Sequence, residues 1–212
     1  MKKIIIVIIC ILCIISATFL YAQSQLQTDS RRILIAYFSL PAAGRTDATT
    51  SASMIAVDGN IIGHVQHVAN IIQRTTGGSL FEIQTVQTYP DGYLQLRNMA
   101  RQERNNRARP ILSTRIFNLQ NYDTIFLGYP NWWSDMPMPL YSFLEEYNLS
   151  GKTIIPFCVN GGRGLSGTVE TIIQLQPRAN VVRDAFEINR NNLAHAERDV
   201  IAWLHRIGMV HN

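Results

Sequence analysis

The stretch YPNWWSDMP, Tyr129 to Pro137, places two adjacent tryptophans in a connection bounded by Pro130 and Pro137. From a loop, Trp132 and Trp133 cannot both turn into a core; one of them can lie flat against a planar ligand and keep water from it. The competing arrangement puts one ring in the core and the other on the helix that follows. A second stretch, Asn160 to Gly164 (NGGRG), surrounds Arg163 with glycines. Gly161, Gly162 and Gly164 leave backbone donors bare and admit positive φ. Such a backbone could read the edge of a ring carrying carbonyls and ring nitrogens, or it could simply turn tightly into a helix near Ser166. At a third place the hydroxyl of Ser39 ends an apolar run, and Gly63, His64 and Val65 open a helical pattern. The N-terminus of a helix favours an anion such as a phosphate; capping is the plainer role for Gly63.

These residues matter only if the fold brings them together, so the elements between them come next. ILIAYF (Ile33 to Phe38), TIFLGY (Thr124 to Tyr129) and KTIIPFCV (Lys152 to Val159) are continuous apolar runs, expected of strands buried on both faces. LFEIQTV (Leu80 to Val86) alternates, as an edge strand does, and NVV at Asn180 begins a short last strand. Helical spacing marks Val65, Val68, Ala69 and Ile72, and then GYLQLRNMARQERN from Gly92. It recurs at Leu140, Phe143, Leu144 and Tyr147, at Val169, Ile172 and Ile173, and at Leu193, Ala196, Val200, Leu204 and Ile207. Ser39 to Ile62 reads as one long loop. The order is β-α five times over, which predicts an α/β domain with a parallel sheet covered by helices on both faces. In such sheets ligands bind beyond the carboxyl ends of the strands. Ser39, Pro130 to Trp133 and Asn160 to Gly164 follow the first, third and fourth strands. Together they predict a pocket with a phosphate at one end and a flat heteroaromatic between a tryptophan loop and a glycine loop, which is the outline of flavin mononucleotide (FMN).

The first residues belong to a different problem. Lys2 and Lys3 precede an unbroken apolar run from Ile4 to Ile15, and a mixed stretch ends at Ala22. Residues 1–22 therefore read as a secretory signal or as an uncleaved N-terminal membrane anchor. Residues 23–32 read as a linker and 33–208 as the folded domain. The implied location is outside the cytoplasm, periplasmic or tethered to the membrane by this segment alone. Without Lys2 and Lys3, the 19 basic residues become 17 against 15 acidic ones, a balance near +2. That balance, with no basic run interleaved with aromatics, argues against a nucleic-acid partner. Cys10 and Cys13 fall in the leading segment, so Cys158 stands alone and no internal disulfide or metal-ligand spacing exists. Within its apolar strand Cys158 reads as an inert core thiol. GLSGT (Gly164 to Thr168) is one residue off a nucleophile elbow, and Ser166 with His195 or His205 reads as a chance assembly. No catalytic residue is assigned.

YPNWWSDMPMPLYSFLEEYNLSGKTIIPFCVNGGRG, together with YPDGYLQLRNMARQE and YDTIFLGYP, resembles the flavodoxin-like family in its short-chain bacterial branch, from about Ile33 to Ile207. The shared pattern is Tyr-Pro-x-Trp-Trp, then Phe-Leu, then Gly-Lys-Thr-x-x-Pro-Phe, then a Gly-Gly loop. The resemblance implies a doubly wound, three-layer sandwich on a five-stranded sheet of order 2-1-3-4-5, with one non-covalent FMN. It implies that Ser39, Gly63, His64 and Val65 hold the phosphate. Pro130, Asn131, Trp132 and Trp133 would form one wall of the ring pocket, and Asn160, Gly161, Gly162, Arg163 and Gly164 the other. Three departures stand out. The family's tight Ser/Thr-Gly-Asn-Thr loop is interrupted by an insert from Leu40 to Ile62, and His64-Val65 replaces Asn-Thr, leaving His64 or Arg45 to compensate. Val159-Asn160 stands where the branch has Thr-His. Arg163 stands where it often has Ser. Two functions follow as expectations. One is an exported flavoprotein in electron transfer, or an FMN-dependent oxidoreductase reducing a small acceptor, whose redox partners are a protein or a quinone-like molecule. The other is an interaction module on the same fold with weakened or lost FMN binding.

Overall fold

Strand β1, Ile33–Tyr37, is buried along its whole length, and its side chains alternate between two cores. Ile33, Ile35 and Tyr37 face one, and Leu34 and Ala36 the other. That double burial is why the run is continuously apolar rather than alternating. The computed structural model describes residues 32–40, 54–57, 59–90 and 92–210. The proposed signal or anchor, most of the proposed linker, and Arg45 lie outside the described residues.

Along the chain, β1 is followed by β2 (Met54–Val57), β3 (Asn60–Gly63), helix α1 (His64–Thr76), β4 (Ser79–Glu82) and α2 (Tyr93–Asn105). Then come β5 (Thr124–Pro130), α3 (Met138–Glu146), β6 (Thr153–Asn160), α4 (Thr168–Leu175), β7 (Asn180–Val181), β8 (Phe186–Asn189) and α5 (Ala196–Arg206). The main sheet runs β4-β1-β5-β6-β7, with β8 also on β6, and all its pairings are parallel. β7 pairs with Thr153 and Ile154, and β8 with Phe157 to Asn160. The two are one interrupted fifth strand, so the sheet has the expected order 2-1-3-4-5. The sequence pattern stopped that strand too early. It breaks where the Asp184 carbonyl turns to accept from Trp203 Nε1–H at 2.8 Å, then resumes on the far half of β6.

Helices α1 and α5 cover one face through Val68, Ile72, Val200 and the fully buried Trp203. Helices α3 and α4 cover the other through Leu140, Phe143 and Ile172. Truncating a side chain as buried as Trp203 costs on the order of 3–5 kcal/mol, so each face is held by a few such anchors. Gly128 in β5 is bare for a packing reason: a Cβ there would lie 2.1 Å from the Phe157 ring of the neighbouring strand. The outer edge of β4 is partly covered by the chain at 113–114, where Ser113 N–H donates to the Gln84 carbonyl and Thr114 Oγ1–H to the Glu82 carbonyl. Cys158 is buried in β6, and burial pushes its thiol well above the usual range, consistent with an inert core residue. Among the described residues no helix is long and apolar enough to cross a membrane.

The expected single loop from Ser39 to Ile62 is corrected here. Its second half is an antiparallel hairpin, β2 against β3, turning at Gly59 with φ +79°. The run of Met-Ile-Ala-Val against Asn-Ile-Ile has the right residues for strands but is too short to stand out. Ile55 packs against the α1–α5 core, and β3 runs without a break into α1. The hairpin thus returns the chain to Ser39: a Cβ on Gly63 would sit 2.0 Å from Ser39 Oγ.

Candidate functional site

The carboxyl ends of β1, β5 and β6 open on one cavity of about 420 Å³. Ser39, His64 and Val65 line one part of it; Pro130, Asn131, Trp132 and Trp133 line another, and Asn160, Gly161 and Arg163 a third. Gly63, Gly162 and Gly164, named with them from the sequence, do not line it. Sequence reasoning missed Leu40, Ser134 and Val159, which adjoin those residues, and also a whole helix face and Arg190. The helix face is Tyr93, Leu96, Arg97 and Ala100 of α2, spaced i, i+3, i+4, i+7, a signal that was available. Arg190 follows β8, so it too stands beyond the end of a parallel strand.

At the α1 end, Ser39 is buried and its Oγ accepts from the Gln66 backbone N–H at 3.4 Å. Its N-cap residue, Gly63, has no side chain to cap α1, so Ser39 takes one of the free N–H groups from outside the helix, and the first turn holds no acidic residue. A thirteen-residue helix thus presents the positive end of its dipole to the cavity, with no acidic side chain in its own first turn. Gly63 serves this end indirectly. Its backbone is ordinary and extended, and its missing Cβ leaves room for the Ser39 hydroxyl.

The tryptophan loop is a two-residue turn. Trp132 and Asp135 exchange backbone hydrogen bonds at 2.9 and 3.1 Å, and Trp133 and Ser134 between them have φ +58° and +63°. That is the geometry of a type I′ turn, which glycine and asparagine favour. Two L-residues with side chains held there store strain of about 1 kcal/mol or more each. Asp135 secures the turn: its Oδ1 accepts from the Met136 N–H and the Tyr141 hydroxyl, both at 2.8 Å. Burial, and then this bond to a carboxylate, push the Tyr141 phenol up to about 12. Trp132 packs edge-on against Phe38 and Tyr89, at centroid distances of 5.6 and 5.8 Å. Trp133 is 38% exposed. Its Nε1–H donates to the Arg97 carbonyl at 3.0 Å, and the guanidinium groups of Arg97 and Arg101 lie 5.9 and 5.5 Å from its ring. The outer ring therefore rests on α2, which precedes it in the chain, and not on the helix that follows.

Behind Trp132 lies a buried polar pair. The Tyr89 hydroxyl reaches the two carboxylate oxygens of Glu103 at 3.2 and 2.9 Å. Burial raises the Glu103 carboxyl above its ordinary range, more than the Tyr89 bond lowers it.

The glycine loop is braced from inside. Asn160 Oδ1 accepts from the Gly162 N–H at 2.8 Å, while its Nδ2–H donates to Glu187 Oε2 and to the Ile188 carbonyl. Gly162, Gly164, Ser166 and Gly167 all have positive φ, so Gly162 and Gly164 serve the turn rather than the cavity wall. The Ser166 hydroxyl donates to the Arg163 carbonyl at 2.8 Å. Asn131 ties the two loops together: its Nδ2–H donates to the Gly164 carbonyl at 2.7 Å and to Ser166 Oγ at 3.0 Å. His195 ends the 3-10 turn Arg190–His195 ahead of α5, and His205 lies in α5. Among the described residues no group of His, Cys, Asp or Glu is placed to hold a metal ion. Among the described residues, the arginines lining the cavity are Arg97, Arg163 and Arg190, and no carboxylate lines it.

The arrangement can hold a flat molecule between two braced loops and an anion at a helix end. Residues 32–207 match the family model described as flavodoxin. A solved candidate flavoprotein from Bacteroides eggerthii is 26% identical, with a TM-score of 0.63 over 84% of this chain and 98% of that one. A second from Bacteroides uniformis is 24% identical, with a TM-score of 0.61 over 79% and 96%. A flavoprotein in complex with FMN from Lactobacillus acidophilus is 16% identical, with a TM-score of 0.54 over 80% and 98%; at such identity these last two speak to the fold alone. No curated protein sequence matches the chain.

Proposed function

We propose that this chain, which belongs to the flavodoxin family, holds FMN in the cleft beyond β1, β5 and β6 and works outside the cytoplasm as a redox flavoprotein. The observation that carries the reading is the convergence of three strand ends and the N-terminus of α1 on one cavity. Its volume, about 420 Å³, lies in the range of small-molecule sites. The residues fit the group. Ser39 and the backbone of His64 and Val65 would take the phosphate, at a helix end with no acidic residue in its first turn. Trp132 and Trp133 would bound the ring on one side, and Gly161 and Arg163 on the other. The chemistry such a cofactor supplies is one- and two-electron transfer. The chain's own contribution is to bind and orient it, to exclude water with the tryptophan loop, and to set a positive charge, Arg163, beside it. Export is read from the N-terminal sequence pattern alone. The redox partners, a protein or a quinone-like molecule, are proposed from the family resemblance and from the mildly basic charge balance of the sequence.

A titration of the purified chain with FMN and with riboflavin tests this. Saturable binding with flavin absorbance, tighter for FMN than for riboflavin, is the expected result. A colourless chain that binds neither would overturn the reading. One observation favours the second reading, an interaction module with weakened FMN binding: His64-Val65 supplies no hydroxyl donor where the family resemblance implies one. Under that reading FMN and riboflavin bind equally weakly.

A further inference from the structure

The described residues include fourteen arginines. Eight of them, Arg32, Arg74, Arg104, Arg109, Arg115, Arg183, Arg198 and Arg206, form ion pairs with carboxylates. Of the remaining six, Arg107 and Arg178 stand outside the cavity lining, and four gather at the cleft: Arg97, Arg163 and Arg190 line it, and Arg101 lies over Trp133 at its edge. Among the described residues no Asp or Glu lines the cavity. Glu187, behind the glycine loop, accepts from Asn160 Nδ2–H. Arg97 and Arg101 flank Trp133, Arg163 is in the glycine loop, and the Arg190 guanidinium lies against Gly161.

We propose that this rim is a binding site for a small planar organic anion, an aromatic or quinonoid carboxylate, which sits outside the cofactor and against Trp133. The proposal rests on the cofactor reading for the inner part of the cleft. Guanidinium forks match carboxylates in a paired geometry that a lone ammonium does not. The exposed Trp133 ring supplies a flat apolar face between two such forks, and its Nε1–H bond to the Arg97 carbonyl fixes the ring on α2. Contact with the ring in turn restrains the Arg97 and Arg101 side chains. A concave site lined by charge of one sign concentrates small ions of the opposite sign. Three of the four arginines line a cavity rather than a flat face, which favours a small molecule over the surface of an acidic protein.

The test is calorimetric titration of the FMN-saturated chain with anthraquinone-2-carboxylate and with its uncharged carboxamide, which has the same shape. At low salt the carboxylate is expected to bind about tenfold tighter, with most of that preference gone at about 0.5 M salt. Arg97→Gln with Arg101→Gln should reduce the preference to about threefold or less while the carboxamide affinity holds; Arg190→Gln alone serves as the second variant. Equal binding of the two probes, a preference that survives both variants, or release of FMN by the carboxylate would overturn the proposal. So would failure of either probe to bind at about 1 mM, which would leave the rim to an acidic protein surface. A chain that takes up no FMN refutes the cofactor reading by itself. The same probes on that chain still decide the rim: a salt-sensitive preference for the carboxylate supports it, and equal binding overturns it.

Discussion

An alanine at Gly63 would place its Cβ 2.0 Å from Ser39 Oγ and 3.2 Å from both Ser39 Cβ and the Leu40 carbonyl oxygen. The backbone itself is no obstacle, since φ −67° and ψ 148° suit any residue. The collision is with a serine only 5% exposed, whose hydroxyl accepts from the Gln66 N–H. Either the hydroxyl swings away or β3 and the start of α1 move. The first loses a long hydrogen bond, worth about 0.5 kcal/mol at the low end of the usual range; the second is overpacking, at about 1–3 kcal/mol. Gly63→Ala is therefore expected to destabilise the chain by about 0.5–3 kcal/mol in urea unfolding. Adding Ser39→Gly removes the clashing atoms and should restore most of that loss, leaving only the Leu40 carbonyl contact. The ligand readout moves differently. Both variants disturb the hydroxyl beside the α1 N-terminus, so the preference for FMN over riboflavin should fall roughly 5- to 30-fold in each, the equivalent of 1–2 kcal/mol. A single variant as stable as the parent, a double variant no better than the single, or an unchanged FMN preference would each refute the reasoning.

Three further outcomes follow from the same coordinates. Ser134→Gly relieves a left-handed serine and should raise stability by about 0.5–1 kcal/mol, seen as a higher melting temperature; no rise would mean that the turn is not strained. Glu103→Gln tests the buried carboxyl, whose folded-state pKa is raised by burial. A raised carboxylate contributes stability that is complete below its unfolded value and lost as pH rises through the folded one. The variant should thus be the more stable form at pH 8, by on the order of 1 kcal/mol, with the advantage gone near pH 4; parallel pH–stability curves would contradict this. Arg163→Ser should lower the one-electron flavin midpoint potential in spectroelectrochemistry by about 10–40 mV, corresponding to roughly 0.2–1 kcal/mol for a solvent-screened charge, and an unmoved potential would place Arg163 away from the ring.

What the sequence could reveal divides along a physical line. Strands buried on both faces are written as continuous apolar runs, so β1, β5 and β6 were legible, and with them the strand ends where Ser39, Trp132 and Asn160 stand. Elements stabilised mainly by what packs on them were not. The β2–β3 hairpin is four residues a side, and its pattern is too short to separate from the loop around it. The resumed strand β8 depends on β6 already being in place, and missing it hid Arg190. The roles of the glycines were equally opaque. Gly161 lines the cavity, Gly162 and Gly164 shape a turn, and Gly63 clears space for a serine 24 positions earlier; no local pattern distinguishes these three uses.

The two walls of the cleft give a reason to think that their geometry serves a ligand rather than the fold. Three residues with side chains are held at positive φ in them, Trp133, Ser134 and Ser166, each at a cost of about 1 kcal/mol or more. Stability alone would favour glycine or asparagine at the tip of a type I′ turn, and a large indole that is 38% exposed returns little by burial. The strain is offset by a specific set of braces: Asp135 under the tryptophan turn, Asn160 inside the glycine loop, and Asn131 joining the two. Because Asn131 bonds the Gly164 carbonyl and Ser166 directly, neither wall can shift without the other. A cleft whose opposing faces move as one unit keeps its width, and fixed width is what a flat ligand held on both faces requires.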